Sequence, residues 1–159
     1  MTMAEDEKLN AEIEPPALAA LFPEMQAGFE WGLSRTVTDA EIALIATLTG
    51  DNNPFHLDEE FARASVFKGR IASASLVLGL MFGPMATYFQ GKAVGLDGDY
   101  RIHNALRAGD TLTIRWRALN RKYVSKLRGT VVEFEGTGSN QNGITVITMH
   151  HSGLMREKF

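Results

Sequence analysis

A carboxylate and an imidazole stand five residues apart in the window Thr49-Gly50-Asp51-Asn52-Asn53-Pro54-Phe55-His56-Leu57-Asp58. Pro54 fixes its own φ and biases Asn53 toward extended backbone. A loop built this way can turn Asp51 and His56 toward one point. A water held there would meet a base on one side and a proton donor or acceptor on the other. Asp and Asn behind a helix are also ordinary turn formers, so residue types alone leave both readings open. The chain has no cysteine, which removes disulfides, thiolate nucleophiles and Cys-ligated zinc. His103, His150 and His151 lack the helical spacings of metal ligands and are expected to be ordinary surface or core side chains, with no metal site.

The loop needs elements on either side to hold it. Thr38-Asp39-Ala40-Glu41 reads as a capping box, followed at helical spacing by Ile42, Ile45, Ala46 and Thr49, with Gly50 placed to end the helix. Asp58 reads as the N-cap of a second, short helix over Glu59–Ala64. Ile71–Gln90 is 20 residues without a charge. Its length and its Gly79-x-x-x-Gly83 spacing fit a membrane span, but Ser73, Ser75, Pro84 and Thr87 dilute its apolar character and no basic flank stands out. A helix apolar on every face and wrapped by protein is the better account, with Ala74, Gly79 and Gly83 letting a sheet come close. Strands are expected at Gly28–Val37, Leu127–Thr137 and Ile144–His151. Another is expected where Leu112, Ile114, Trp116 and Ala118 alternate with Thr113, Arg115 and Arg117. Turns are expected at Gly109-Asp110 and Asn142-Gly143. Segregated helices and strands make the fold class α+β, a sheet curled around one apolar helix.

The 159 residues, 45% hydrophobic and 22% charged, suit one globular domain. The net charge of -3 is unevenly distributed: residues 1–14 hold five acids against one base, and residues 15–159 hold 15 bases against 14 acids. Residues 1–16 are therefore expected to be a loosely ordered acidic lead-in, and 17–159 the domain. Met1–Glu14 has no apolar core segment, so no secretory leader is expected and the protein is placed in the cytoplasm. The body is basic in one stretch. Arg101–Arg128 carries eight bases and the single acid Asp110. No nucleic-acid motif accompanies these bases, so neither nucleic acid nor membrane is an expected partner.

The segment Thr49–Ser75 resembles the hydratase signature of the MaoC-like family: Gly50, Asp51, Asn53, Pro54, His56 and Asp58 match G-D-x-N-P-x-H-x-D, and Phe61, Ala62, Phe67, Gly69, Arg70 and Ile71 match what usually follows. Arg107–Leu112 is similar to the family's R-x-G-D-x-L turn and Asn140–Gly143 to its N-Q-x-G hairpin. The resemblance implies a single hot-dog domain, a long central apolar helix wrapped by a curved antiparallel sheet. It also implies a homodimer, or a higher homo-oligomer of dimers, with the acyl-CoA site at the subunit interface. The implied reaction is reversible syn addition of water to a trans-2-enoyl-CoA, giving an (R)-3-hydroxyacyl-CoA, with no cofactor beyond the thioester substrate. Asp51 and His56 would hold the water, the Ala74 N–H would stabilise charge on the thioester oxygen, and Asn53 and Ser73 would position the substrate.

The chain departs from the family at the start of the long helix, where Ser73-Ala74 replaces His-Gly. Ala74 keeps the N–H donor provided the backbone there does not need positive φ, and Ser73 suits a helix N-cap. CoA carries three phosphates, and Arg121, Lys122 and Lys126, clustered in a hairpin, are the candidate contacts. Two alternatives are a hot-dog acyl-CoA thioesterase and a non-catalytic acyl-CoA-binding protein. The first is disfavoured because no acid occurs between Glu60 and Asp97.

Overall fold

The computed structural model describes residues 14–159. Its five strands are β1 (Glu30–Thr36), β2 (Ala93–Ile102), β3 (Thr111–Val124), β4 (Gly129–Ser139) and β5 (Thr145–Met155). They form one antiparallel sheet in the order β1-β3-β4-β5-β2. The helices are α1 (Pro16–Ala19), α2 (Asp39–Thr49), α3 (Pro54–Leu57), α4 (Glu59–Ala64) and α5 (Ala74–Phe89). All but α1 fall between β1 and β2, which gives the expected α+β segregation.

The alternation in β3 sorts its side chains as its pattern predicts: Leu112, Ile114, Trp116 and Ala118 are buried, while Arg115 and Arg117 face solvent. Trp116 also pins the helix to the sheet, its indole N–H donating to the Met81 carbonyl of α5 at 2.8 Å. The ring lies where Gly136 of β4 has no side chain; a Cβ there would stand 2.6 Å from the indole. Register shifts in β2 between Gly95 and Asp97 and in β3 between Ala118 and Asn120 interrupt the ladders, the kind of irregularity that bends a strand.

The long helix is shorter and less enclosed than its uncharged stretch suggests. Ile71 and Ala72 stay outside it because their N–H groups bond the Phe55 and Leu106 carbonyls at 3.1 and 2.8 Å. Ser73 then caps α5, its hydroxyl accepting from the Leu76 N–H at 3.3 Å. Leu76, Val77, Leu80, Met81, Pro84 and Met85 are buried, whereas Ser75, Gly79 and Gly83 lie open to solvent. Nothing lies within 4 Å of a Cβ built on Gly79 or Gly83, so these two glycines do not admit the sheet. Among the described residues no helix is long and apolar enough to cross a membrane.

Most of the expected lead-in, residues 1–13, lies outside the described residues. Its end is held: Glu14 accepts from the Arg121 guanidinium at 2.7 and 3.2 Å.

Candidate active site

Two helix ends set the position of Asp51. The capping box forms, with the Glu41 N–H donating to the Thr38 hydroxyl at 3.2 Å and the Thr38 N–H to the Glu41 carboxylate at 2.8 Å. At the other end Gly50 adopts φ 72°, the left-handed conformation that closes a helix and that glycine takes without strain. The Asp51 N–H then bonds back to the Ala46 carbonyl at 2.9 Å, which fixes the direction in which the loop leaves α2. Asn53 caps α3, its side chain accepting from the Phe55 N–H at 3.2 Å. Pro54 occupies the first position of that turn, where a missing N–H costs nothing. Phe55 packs on Phe61 and Phe67 and anchors the loop from beneath.

His56 is buried and its Nδ1 lies 2.8 Å from the Ile71 carbonyl oxygen. A carbonyl only accepts, so Nδ1 carries the proton and Nε2 of the neutral ring is an acceptor. That Nε2 stands 3.4 Å from the Asp51 Oδ2, longer than a good direct hydrogen bond. The Asp51 side chain is more open, at 38% exposed against 9% for His56. Two acceptors facing one point from a buried side and an open side can each receive a hydrogen bond from a single water.

Ala74 is the first residue of α5 and is not among the residues with positive φ. Alanine in place of glycine therefore brings no backbone strain, and the N–H, with no intrahelical acceptor at this position, remains a donor. It stands three residues beyond Ile71, the residue that holds His56. Ser73 is fully buried and its oxygen is engaged in capping.

The basic candidates lie elsewhere. Val124 pairs with Gly129 at the tip of the β3–β4 hairpin, and Thr130 and Ala93 both pair with Met155. The hairpin thus sits at the sheet end beside the C-terminus of α5, while Asp51, His56 and Ala74 gather at its N-terminus. Lys122 and Lys126 are exposed there. Arg121 does not belong with them: its side chain is 6% exposed and its N–H groups serve Glu14 and the carbonyls of Leu18 and Phe22. It is an internal tie for the residues before β1 and is not available to a phosphate.

A family model described as MaoC like domain matches residues 23–137. The chain belongs to the MaoC-like domain family. Among curated proteins, an (R)-specific enoyl-CoA hydratase from Rhodospirillum rubrum is 32% identical over 93 residues, 58% of this chain and 65% of that protein. The chain therefore spans about two thirds of that relative's length. Among solved structures, the monoamine oxidase regulatory protein from an Archaeoglobus species superposes with a TM-score of 0.76 at 30% identity, covering 87% of this chain and 94% of that one. An R-hydratase from Pseudomonas aeruginosa gives 0.75 at 25% identity, covering 86% of each chain. The fold is the hot-dog fold of these MaoC-like structures.

The later MaoC-like motifs brace the site from behind. The Gln141 side chain donates to the Asp110 carboxylate at 2.8 Å and accepts from the Thr111 N–H at 3.0 Å. The Arg107 N–H donates to the same carboxylate at 2.8 Å, and its guanidinium reaches the Phe67 carbonyl in the segment leading to α5. The two motifs are far apart in sequence, yet they form one bracket. Arg70, which sequence reasoning did not single out for a role, bridges Asp39 at the start of α2 and Glu59 of α4. Among the described residues no group of three His, Asp or Glu side chains converges as metal ligands.

A cleft beside α5 lies apart from these groups. It has a volume of about 400 Å³ and lies between the second half of α5 and strands β2, β4 and β5, with walls from Phe82, Met85, Phe89, Phe134 and His151. Met81, by contrast, is wholly buried in the core.

Proposed function

We propose that this chain catalyses the reversible hydration of a trans-2-enoyl-CoA to an (R)-3-hydroxyacyl-CoA. The observation that carries the reading is the pairing of Asp51 and His56, with His56 tied through the Ile71 carbonyl to the segment that opens α5. A water donating one hydrogen to His56 Nε2 and one to Asp51 keeps its lone pairs clear to attack the β-carbon. As the C–O bond forms, one of the two acceptors takes the water's proton, and the electron pair of the C=C bond moves toward the thioester oxygen. The Ala74 N–H, at the positive end of α5, stabilises that oxygen. The α-carbon then collects a proton from the same pair, so hydrogen and hydroxyl add to one face. Atoms balance with water alone, and no cofactor enters the step. Asn53 positions the loop through α3, and Ser73 positions the oxyanion donor by capping α5.

The acyl chain follows α5 into the cavity beside Phe82 and Met85. The protein acts as a cytoplasmic homodimer, paired through β2. That strand is one of the two sheet edges and leaves Val94, Leu96, Tyr100 and Ile102 exposed, an unpaired edge that invites another strand. β2 starts beside the end of α5 and finishes near its beginning. Antiparallel pairing with a second copy brings the hairpin of one chain toward the site of the other, where Lys122 and Lys126 meet the CoA phosphates.

The test is incubation with crotonyl-CoA, following the conjugated enoyl absorbance and free thiol together. Loss of absorbance without thiol supports the reading. Thiol release would make the protein a thioesterase and overturn it.

A further inference from the structure

His151 is the one titratable side chain on the walls of the 400 Å³ cavity. It projects from β5 toward α5, edge-on to Phe82 with ring centroids 5.0 Å apart and close to Phe134 and Trp116. The same ring lines a neighbouring hollow with Leu78, Tyr100 and Met149, nearer the start of α5. It therefore stands where the two spaces meet. Phe82 is eight residues beyond Ala74, about 12 Å along a helix, so the ring lies well past the reacting carbons.

The ring has a built seat. Gly95 and Gly98 of β2 flank it: a Cβ on Gly95 would come within 3.0 Å of its Cε1 and 3.3 Å of its Nε2, and one on Gly98 within 3.1 Å of its Nδ1. The Asp97 main chain and its charge, between them, favour the protonated imidazole against the effect of burial. The neutral ring keeps one nitrogen as an acceptor, and its Nε2 edge faces Gly95, itself on the cavity wall. Burial holds the imidazole below its ordinary value near 6.5, so the acceptor form prevails at neutral pH. An acceptor on a cleft wall otherwise made by Phe82, Met85, Phe89 and Phe134 serves no packing need that leucine would not meet better.

We propose that His151 selects acyl chains bearing a hydroxyl group several carbons beyond the double bond, the acceptor nitrogen of its neutral ring taking the hydroxyl hydrogen. This deepens the hydratase reading and rests on it for the direction from which the chain enters.

Two enoyl-CoA thioesters of equal medium length separate the possibilities, one with a plain methyl tail and one hydroxylated near the tail; a third carries a terminal carboxylate. The ratio of kcat/KM values within each protein cancels any general loss in a variant. The parent is expected to favour the hydroxylated chain about tenfold, the scale of one net hydrogen bond. His151→Leu reverses the order, and His151→Gln, which keeps an acceptor, restores part of it. Circular dichroism and melting establish that each variant is folded. Equal rates in the parent, or preference for the plain or carboxylated chain, overturn the proposal. If no thioester turns over, calorimetric binding of the three decides. A retained hydroxyl preference, lost in His151→Leu, supports this inference while the hydratase reading falls; no preference overturns it.

Discussion

His56 donates from Nδ1 to the Ile71 carbonyl 2.8 Å away, and Ile71 leads within three residues to the first N–H of α5. The backbone that decides which imidazole nitrogen is basic is thus the same backbone that aims the oxyanion donor. Tautomer and electrostatic stabilisation are set by one short stretch, itself held by the Phe55 and Leu106 carbonyls.

Asp51→Asn and His56→Ala are each expected to slow crotonyl-CoA hydration by about 10²–10⁴-fold, the usual contribution of positioned acid–base groups. The double variant should be little worse than the poorer single one, because the two act as a unit. Losses that multiply would show that they work independently.

Ala74→Pro isolates the backbone donor. Proline is accepted at the first position of a helix, and Ser73 already has the extended ψ of 158° that a following proline requires. Melting should therefore change little while kcat falls about 10²–10³-fold, the effect of losing one oxyanion donor. Unchanged kcat would remove Ala74 from the mechanism.

Arg121→Met and Lys122→Ala/Lys126→Ala should part company. Removing Arg121 takes away the cation facing Glu14, leaving it the Thr130 hydroxyl, and frees the Leu18 and Phe22 carbonyls. Breaking such a buried pair costs about 3–5 kcal/mol, visible as a lower urea midpoint. The double lysine variant should melt like the parent but show a raised KM for CoA thioesters, and that KM should depend less on salt.

Stability should fall on mild acidification, in part through His151. Its folded value is depressed by burial, so the unfolded chain binds the proton first. The contribution is fully present above the ordinary value near 6.5 and is lost as pH falls through that value toward the folded one. Urea midpoints between about pH 7.5 and 5 should decline in the parent. His151→Phe should flatten that decline.

Leu96→Lys combined with Ile102→Lys places charge on the β2 edge and should yield monomers by sedimentation. If the parent is itself monomeric, the paired-sheet assembly is wrong.

Local chemistry made much of this molecule legible from its residues. The capping box at Thr38, the stop at Gly50, the Asp58 cap and the β3 alternation each depend on near neighbours, and each appears where its pattern lies. The Asp51/His56 window was visible for the same reason. Arg121 was not, because an arginine reads as a surface charge until Glu14, 107 residues away, is folded against it. β2 gives a weak strand signal, with two glycines and two aspartates in ten residues; its pairing with β5 makes it a strand. His151 looked ordinary for the same reason, since its seat is cut by glycines on that other strand.

Helix α2 behaves as a dial. Asp51 follows directly on its last turn, and each residue of an α-helix advances the chain by about 100° around the axis. One residue added between Thr38 and Gly50 would swing the carboxylate to a different side of the helix and lift it away from His56, however well the new residue suited a helix. Evolution can therefore redecorate the outer face of α2, where Leu44 and Leu48 are exposed, but is not free to lengthen or shorten it.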